Sequence, residues 1–364
     1  MFSWQTYGGI SRYIVEQMRG LQALGQTVSL PQHFFSENVY LNQLPGFQRN
    51  SMAPFPFKGK KWIQLQLGKN ASKKALETYR PDVFHPTYFD PYFLKTVQKH
   101  GIPWVITVHD MIHEIYHHGS RGFFSLDKNV VQHKRLLVEL AHAVITVSEN
   151  TKQDLLRFCP EVSPEKVHVV YHGNLLKPVE SDPLISGNPY LLFVGQRKQY
   201  KNFLWMLQEL QALLHEMPLL QVKCVGGGPF NDLENDKIKV LGLQDKVQYK
   251  TVKTDEELAI MYRNARCFIF PSLYEGFGMP LVEAMACGCP VLIPEGGALS
   301  EIGGGAAMSF QHHIPGSLLE STRKILLDKS LRDDFTAKGK KRAELFTWEK
   351  SVAAHVNIYQ QICG

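Results

Sequence analysis

Residues 268–293 read FIFPSLYEGFGMPLVEAMACGCPVLI. An apolar run ends at Phe270, a glycine-bearing loop follows, and Pro280 stands where a helix is expected to begin, because proline is favoured at the first helical position. A second apolar run closes the stretch at Pro290–Ile293. This order of strand, loop, helix and strand predicts a parallel sheet with a helical crossover.

The same alternation extends over the rest of the chain. Short runs rich in Val, Ile and Phe are separated by amphipathic helices such as Asn202–Glu216 and Asp255–Asn264. Besides Pro290–Ile293, strands are predicted at Trp104–Val108, Ala143–Val147, Val167–Val170, Tyr190–Val194, Val222–Val225 and Cys267–Phe270. The fold class is therefore α/β, with Rossmann-like domains.

The length of 364 residues suits two such domains. Residues 176–188 are rich in turn-forming residues and lack periodicity, which indicates a linker. We predict an N-terminal domain at 1–175 and a C-terminal domain at 189–345. A last helix at 346–364 is expected to cross back to the N-terminal domain.

The start of the chain departs from the pattern. Residues 1–7 contain no convincing strand before Gly8 and Gly9, a helix is predicted at Ile10–Leu24, and a strand at Thr27–Leu30. We expect the first strand of the domain to be missing from the sequence; the alternative is that residues 1–4 are its remnant.

Composition excludes several classes of protein. No apolar run approaches the roughly 20 residues of a membrane span, and the first residues lack a signal-peptide pattern. The six cysteines are scattered, so we expect a reducing, cytoplasmic setting. No nucleic-acid-binding motif is present, and nucleic acid is not expected as a partner.

The net charge of +6 lies entirely in residues 1–175. A basic cluster consists of Lys58, Lys60, Lys61, Lys69, Lys73 and Lys74, with Phe57 and Trp62 between them. Such a cluster suits peripheral contact with the inner face of a cell membrane or an anionic acceptor. The alternative is a solvated helix face.

The loop and helix after Phe270 carry the residues of greatest chemical interest. Free N–H groups at a helix start attract phosphate or sugar oxygens, and glycines at 276 and 278 let a ligand approach the backbone. Glu283, expected in the first helical turn, can accept hydrogen bonds from two ribose hydroxyls. Glu275, eight residues earlier, is free to face a sugar.

In these features the sequence resembles glycosyltransferase family four, retaining group-1-type enzymes of the two-domain GT-B fold, whose domains face each other across a cleft. Glu275 and Glu283 match the Glu-x7-Glu signature of that family. The resemblance continues in GGISRY (8–13), VHD (108–110), ITVSENTK (145–152), FVGQRKQYKN (193–202), VGGGP (225–229), TDEELAIMY (254–262) and FTWEK (346–350).

The resemblance implies a metal-independent hexosyltransferase without a cofactor. Arg197 and Lys201 are expected to neutralise the diphosphate of the donor, as side-chain cations must in the absence of a metal; Lys198 is an alternative to Arg197. His109 is expected to contact the donor sugar. The proposed catalytic residues are His109, Glu275, Arg197 and Lys201. The proposed donor-binding residues are Gly8, Gly9, Arg197, Lys201, Gly227, Val252, Glu275, Gly276, Phe277, Gly278, Met279 and Glu283.

The sequence predicts the donor and the acceptor less precisely than the reaction. The donor is expected to be a UDP- or GDP-linked hexose, with UDP slightly favoured. The acceptor is expected to be a saccharide or lipid-linked saccharide in surface polysaccharide synthesis. Three alternatives stay open: a sugar-nucleotide-binding protein without turnover, a phosphorylase of the same architecture, and a zinc hydrolase. The last rests on His113, Glu114 and His117, which match H-E-x-x-H.

Overall fold

A computed structural model of the protein describes residues 2–3, 6, 8–31, 35–45, 47, 57–117, 128–179 and 187–364. The chain divides into two units. Unit 1 consists of Met1–Gly173 and Trp348–Gly364, and unit 2 consists of Asn174–Thr347. No helix within the described ranges has both the length and the apolar character needed to cross a bilayer.

Unit 1 contains a parallel sheet. Its elements before residue 173 are α1 (Gly9–Ala23), α2 (Lys60–Tyr79), α3 (Leu94–His100), β1 (Val105–Val108), α4 (Ile112–His117), α5 (Lys128–Leu140), β2 (Ala143–Thr146), α6 (Glu149–Phe158) and β3 (Val167–Val169). The strand order is β1-β2-β3, and a parallel bridge between Phe84 and Trp104 adjoins it. All residues of β1 and β2 are buried, which explains their continuous apolar sequence.

The predicted strand at Thr27–Leu30 is wrong. Residues 26–31 pair with no strand in the described part of the chain. Val28 and Leu30 instead pack against a small apolar cluster that includes Val15 and Met18 of α1. The alternating apolar residues Val28 and Leu30 therefore pack against this cluster, although the segment does not join a sheet. Residues 2 and 3 form a turn, and residues 1, 4, 5 and 7 lie outside the described residues.

Unit 2 is built around a six-stranded parallel sheet with helical crossovers. Its elements are β4 (Tyr190–Val194), α7 (Phe203–Glu216), β5 (Gln221–Val225), α8 (Asp232–Val240), β6 (Val247–Lys250), α9 (Asp255–Asn264), β7 (Cys267–Ile269), α10 (Met279–Ala286), β8 (Val291–Pro294), α11 (Gly297–Gly303), β9 (Met308–Phe310), α12 (Ser317–Leu327) and α13 (Lys329–Ala343). The strand order is β6-β5-β4-β7-β8-β9. The fold-class prediction of an α/β protein with parallel sheets is confirmed.

The last helix, α14 (Trp348–Cys363), belongs to unit 1 and packs on α1. Two glycines allow this packing. A Cβ atom on Gly20 would lie 2.4 Å from Cγ2 of Val352, and one on Gly173 would lie 2.4 Å from the backbone nitrogen of Trp348. Buried Val352 and Ile358 complete the apolar face of the helix.

Candidate active site

The strand order of unit 2 fixes where a ligand can bind. Chain order reverses between the central neighbours β4 and β7, since β5 and β6 lie on one side and β8 and β9 on the other. At such a switch point the loops after the two strands diverge and leave a crevice at the carboxyl edge of the sheet. The loop after β4 carries Arg197 and Lys201, and the loop after β7 carries Glu275.

Lys201 and Glu275 meet at this point. The Lys201 ammonium donates a hydrogen bond to Oε1 of Glu275, and the two side chains are 14% and 15% exposed. The loops are also joined by the backbone, because Leu273 N–H donates to the carbonyl of Tyr200 at 2.8 Å. A cation and a carboxylate predicted to bind adjoining parts of one ligand are thus in contact.

The start of α10 lies in the same loop. Gly278 precedes the helix with φ 92°, and a Cβ atom there would lie 2.5 Å from Leu299, so only glycine fits. The N–H groups of Gly278 and Met279 make no hydrogen bond within the described part of the chain. They are available to a ligand, as the loop sequence predicts. The ring of Phe277 is buried and makes an edge contact with the ring of Phe346.

The helix α10 begins one residue earlier than predicted. The helix begins at Met279, so Pro280 is its second residue and Glu283 its fifth, beyond the first turn. The influence of the helix dipole falls off within that turn. Glu283 is instead defined by burial: it is 7% exposed, and the hydroxyl of Tyr262 lies 3.5 Å from its Oε2 atom. Burial, followed by the charge of Glu283, raises the pKa of Tyr262 well above its usual value, so the phenol stays a donor.

Arg197, predicted to bind the diphosphate, is held by other residues of unit 2. Its side chain is 3% exposed and its Nε atom donates to Oε1 of Glu234 at 2.8 Å. The remaining guanidinium nitrogens donate to the carbonyls of Gly226 (2.6 Å), Gly228 (2.7 Å) and Pro229 (3.0 Å). A buried guanidinium needs hydrogen-bond acceptors, and here a carboxylate and three backbone carbonyls of the protein provide them. Lys198, the alternative cation, is exposed.

Gly227 and Val252 follow β5 and β6, at the same edge of the sheet as the loop of Lys201. Gly227 has φ 74° and lies against the Arg197 guanidinium, which a Cβ atom would approach to 3.0 Å. Val252 is half-buried, and its backbone groups make no hydrogen bond with the described residues. Both positions are therefore accessible from the carboxyl edge through their backbone.

The predicted residues of unit 1 lie around α1 and β1. Gly8 caps α1 and Gly9 is its first residue, so their N–H groups belong to the unpaired start of a helix. His109 follows β1, and its ring makes an edge contact of 4.9 Å with Tyr13 of α1. Burial is the main cause that lowers the pKa of His109 to about 4, so the imidazole is neutral at pH 7.

Two sequence models of glycosyltransferases match the two halves of the chain. The sequence model described as Glycosyltransferase Family 4 matches residues 7–174, and the model described as Glycosyl transferases group 1 matches residues 179–342. An MMP alpha-(1->4)-mannosyltransferase of Mycolicibacterium hassiacum is 31% identical over 311 residues, which cover 77% of this chain and 70% of the relative. The chain belongs to glycosyltransferase family four.

A second relative matches this glycosyltransferase over nearly its whole length. O-antigen chain mannosyltransferase B of Escherichia coli is 25% identical over 380 residues, which cover 97% of this chain and 96% of the relative. The predicted family and the assignment as an enzyme, a hexosyltransferase, are confirmed. The group 1 glycosyltransferases, to which this chain belongs, use nucleotide sugar donors.

Solved structures show the same fold. HepE of Anabaena in complex with UDP and glucose superimposes with a TM-score of 0.76 at 16% identity, over 98% of both chains. Sucrose-phosphate synthase of Thermosynechococcus elongatus gives a TM-score of 0.75 at 22% identity, over 97% of this chain and 93% of that one. The glycosyltransferase therefore has the GT-B architecture of two Rossmann-like domains.

The zinc-hydrolase alternative does not agree with the structure. Glu114 of the H-E-x-x-H match lies in the six-residue helix α4, where its carboxylate accepts a 2.8 Å hydrogen bond from Lys134. The side chains of Glu114 and Lys134 are 6% and 1% exposed, so Glu114 neutralises the charge of a buried lysine. Within the described residues no group of three His, Cys, Asp or Glu side chains is arranged to hold a metal.

Several residues around the site have no sequence signature of their own. Glu234 could be recognised only as part of an Asn-x-x-Glu helix start with Asn231. Tyr262 and the buried histidines of unit 1 give weaker signals, although 11 of the 15 histidines lie in residues 1–175. Their partners are distant in sequence, and only the folded chain brings them together.

Proposed function

We propose that the enzyme transfers mannose from GDP-mannose to a saccharide or lipid-linked saccharide acceptor, with retention of the anomeric configuration and without a metal ion. The contact between Lys201 and Glu275 at the switch point carries the proposal. In a nucleotide sugar the terminal phosphate is bonded to C1 of the hexose. A cation that binds this phosphate and a carboxylate that binds the hexose must therefore lie next to each other. Lys201 and Glu275 do.

Each residue of the site then has one role. Lys201 and the free N–H groups of Gly278 and Met279 stabilise the departing diphosphate, because cations and helix starts favour developing negative charge. Glu275 and the backbone of residues 276–279 orient the hexose. Glu283 accepts hydrogen bonds from the ribose hydroxyls, and the backbone near Val252 meets the base.

The bond changes follow the mechanism that the family resemblance implies. The acceptor hydroxyl attacks C1 on the face that the diphosphate leaves. The bond from C1 to the phosphate oxygen breaks, a bond from C1 to the acceptor oxygen forms, and the proton passes to a phosphate oxygen of the leaving nucleotide. His109, which is neutral, contributes a hydrogen bond to the sugar.

The choice of mannose rests on the names of the two relatives, both mannosyltransferases, and it replaces the slight preference for UDP drawn from sequence alone. The role in surface polysaccharide synthesis is supported by the name of the Escherichia coli relative, which concerns O-antigen chains.

The test is a donor panel followed by product analysis. Thermal unfolding in the presence of GDP-mannose, UDP-glucose and an ADP-sugar should show stabilisation by the true donor, because a ligand of the folded state shifts unfolding by mass action. Transfer to an oligosaccharide acceptor, followed by NMR of the new linkage, should show the donor's own anomeric configuration. Binding without transfer would instead leave a sugar-nucleotide-binding protein, and an inverted product would contradict the mechanism.

Membrane contact through α2 is a separate proposal. Trp62 is 64% exposed beside Lys61, which suits an anionic lipid surface. Lys60 and Lys69 are engaged in ion pairs with Glu37 and Asp90, which favours the alternative of an ordinary solvated face. Sedimentation with anionic vesicles distinguishes the two, because Trp62→Ala weakens binding only if the helix contacts lipid.

A further inference from the structure

The side chain of Arg197 occupies the inside of the turn formed by residues 226–229. Three backbone carbonyls of this turn and the carboxylate of Glu234 accept four of the five N–H bonds of its guanidinium. With 3% of the side chain exposed, it cannot reach a ligand without breaking these bonds.

Glu234 is held as firmly as Arg197. It is 4% exposed, and its second oxygen accepts a 2.9 Å hydrogen bond from the backbone of Asn231, whose own side chain caps α8. The ring of Phe230 lies 4.9 Å from the guanidinium carbon. The charges therefore neutralise each other at a buried position, which the start of α8 fixes.

The backbone of the turn is consistent with this arrangement. Gly226, Gly227 and Gly228 all have positive φ angles, of 88°, 74° and 77°. The carbonyls of Gly226 and Gly228 bind the guanidinium, whereas the N–H groups of Gly227 and Gly228 donate to no acceptor within the described ranges. Three glycines in succession in a left-handed conformation are flexible unless something holds them.

We propose that Arg197 and Glu234 are positioning residues, which hold the glycine turn so that the N–H groups of Gly227 and Gly228 face oxygen atoms of the nucleotide diphosphate. Of the two cations predicted from sequence, Lys201 alone then touches the donor. The inference rests on the proposed function, since it assigns a means of holding the same donor.

The test compares Arg197→Lys with Glu234→Gln. A lysine keeps the positive charge but cannot bind three carbonyls and a carboxylate at once. A glutamine keeps the shape of Glu234 and its place in the helix cap but removes its charge. If both residues act through the turn, each variant raises the donor KM by about tenfold or more, with kcat within about threefold of wild type. The double variant should be little worse than Arg197→Lys alone, because the residues act as one unit.

Direct contact between Arg197 and the diphosphate predicts a different result. Arg197→Lys would then keep most of the donor affinity, and Glu234→Gln would leave the donor KM unchanged or lower it by releasing the arginine. Either outcome overturns the inference. Hydrogen exchange of residues 226–230 in the unliganded variants gives a reading independent of catalysis: it should rise there and stay unchanged at residues 276–283.

Two controls separate the possible causes of failure. Lys239→Gln, at an exposed position of α8, should leave both kinetics and hydrogen exchange as in the wild type. Absence of transfer by the wild-type enzyme from every nucleotide sugar would overturn the proposed function together with this inference. Normal wild-type transfer with unaffected variants would overturn the inference alone.

Discussion

Lys201 donates a hydrogen bond to Oε1 of Glu275, and this contact joins the loop after β4 to the loop after β7. Each side chain is largely but not wholly shielded from water, so the pair can open toward a ligand. In the proposed function, a diphosphate that binds Lys201 separates it from Glu275, whose carboxylate then accepts hydrogen bonds from sugar hydroxyls. The unliganded pair keeps both groups in place for this exchange of partners.

Replacement of Lys201 by alanine tests the cation. We expect kcat/KM for the donor to fall by about 100-fold or more, because a positioned positive group at a developing charge is worth about that factor. Steady-state kinetics with varied donor measure it. Lys239→Ala, an exposed lysine of the same unit, is the matched control. Equal rates for both variants would remove Lys201 from the site.

Glu283→Gln tests the ribose contact. The donor KM should rise by about tenfold, since a hydrogen bond to a charged group is lost, while kcat changes less. Tyr262→Phe should have a smaller effect in the same direction, because it keeps the carboxylate and removes only the hydroxyl that helps to position it. Glu256→Gln, exposed on the same helix as Tyr262, serves as control. Wild-type donor affinity and turnover in Glu283→Gln would contradict the assignment.

The buried histidines of unit 1 predict acid sensitivity. Tyr13 binds His355 at 2.7 Å, and His85 binds Thr107 and Tyr359 at 2.9 and 2.8 Å. Burial is the largest cause that lowers the pKa of His85 to about 3 and those of His109 and His355 to about 4. This network joins α1, β1 and α14.

The sign follows from the neutral state of these rings. A histidine whose pKa is lower in the folded state contributes its full stability above the unfolded value of about 6.5. That stability is lost as pH falls from there toward 4. We expect the midpoint of thermal unfolding to fall steeply between pH 7 and 4.5, and His355→Gln to lessen the slope. His313→Gln, an exposed histidine of unit 2, should leave the slope unchanged. A flat profile would contradict the buried neutral network.

Chelation tests the absence of a metal requirement. In the proposed mechanism, Lys201 and the start of α10 supply the positive charge that other enzymes obtain from a divalent cation. Transfer after treatment with EDTA should therefore proceed at the rate of untreated enzyme, measured as nucleoside diphosphate released. Loss of transfer that Mg²⁺ or Mn²⁺ restores would show that a metal shares this role.

The sequence predicts buried strands well for a physical reason. Strands of a parallel sheet covered by helices are rich in apolar residues, and the seven strands predicted from such runs form with ends within one residue. Met308–Phe310 is too short to form a recognisable run, although it completes the sheet as β9. The apolar alternation of Thr27–Leu30 reflects burial and carries no information about a neighbouring strand.

The orientation of the side chains at the site could not be predicted from the sequence. Glu275 and Lys201 could be predicted as site residues from their residue types and loop positions. Their contact, however, depends on β4 and β7 being adjacent strands of the sheet. Arg197 shows the limit more clearly. Its place beside Lys201 predicts a ligand contact, but the sequence does not predict its ion pair with Glu234, which is 37 residues away on α8.

The most direct test of the account is a crystal structure of the enzyme with its nucleotide sugar. We predict the diphosphate within hydrogen-bonding distance of Nζ of Lys201 and of the N–H groups that precede α10, with the ribose hydroxyls on Glu283 and the hexose beside Glu275. A donor bound elsewhere, with the pair of Lys201 and Glu275 still closed and no phosphate near it, would contradict the account.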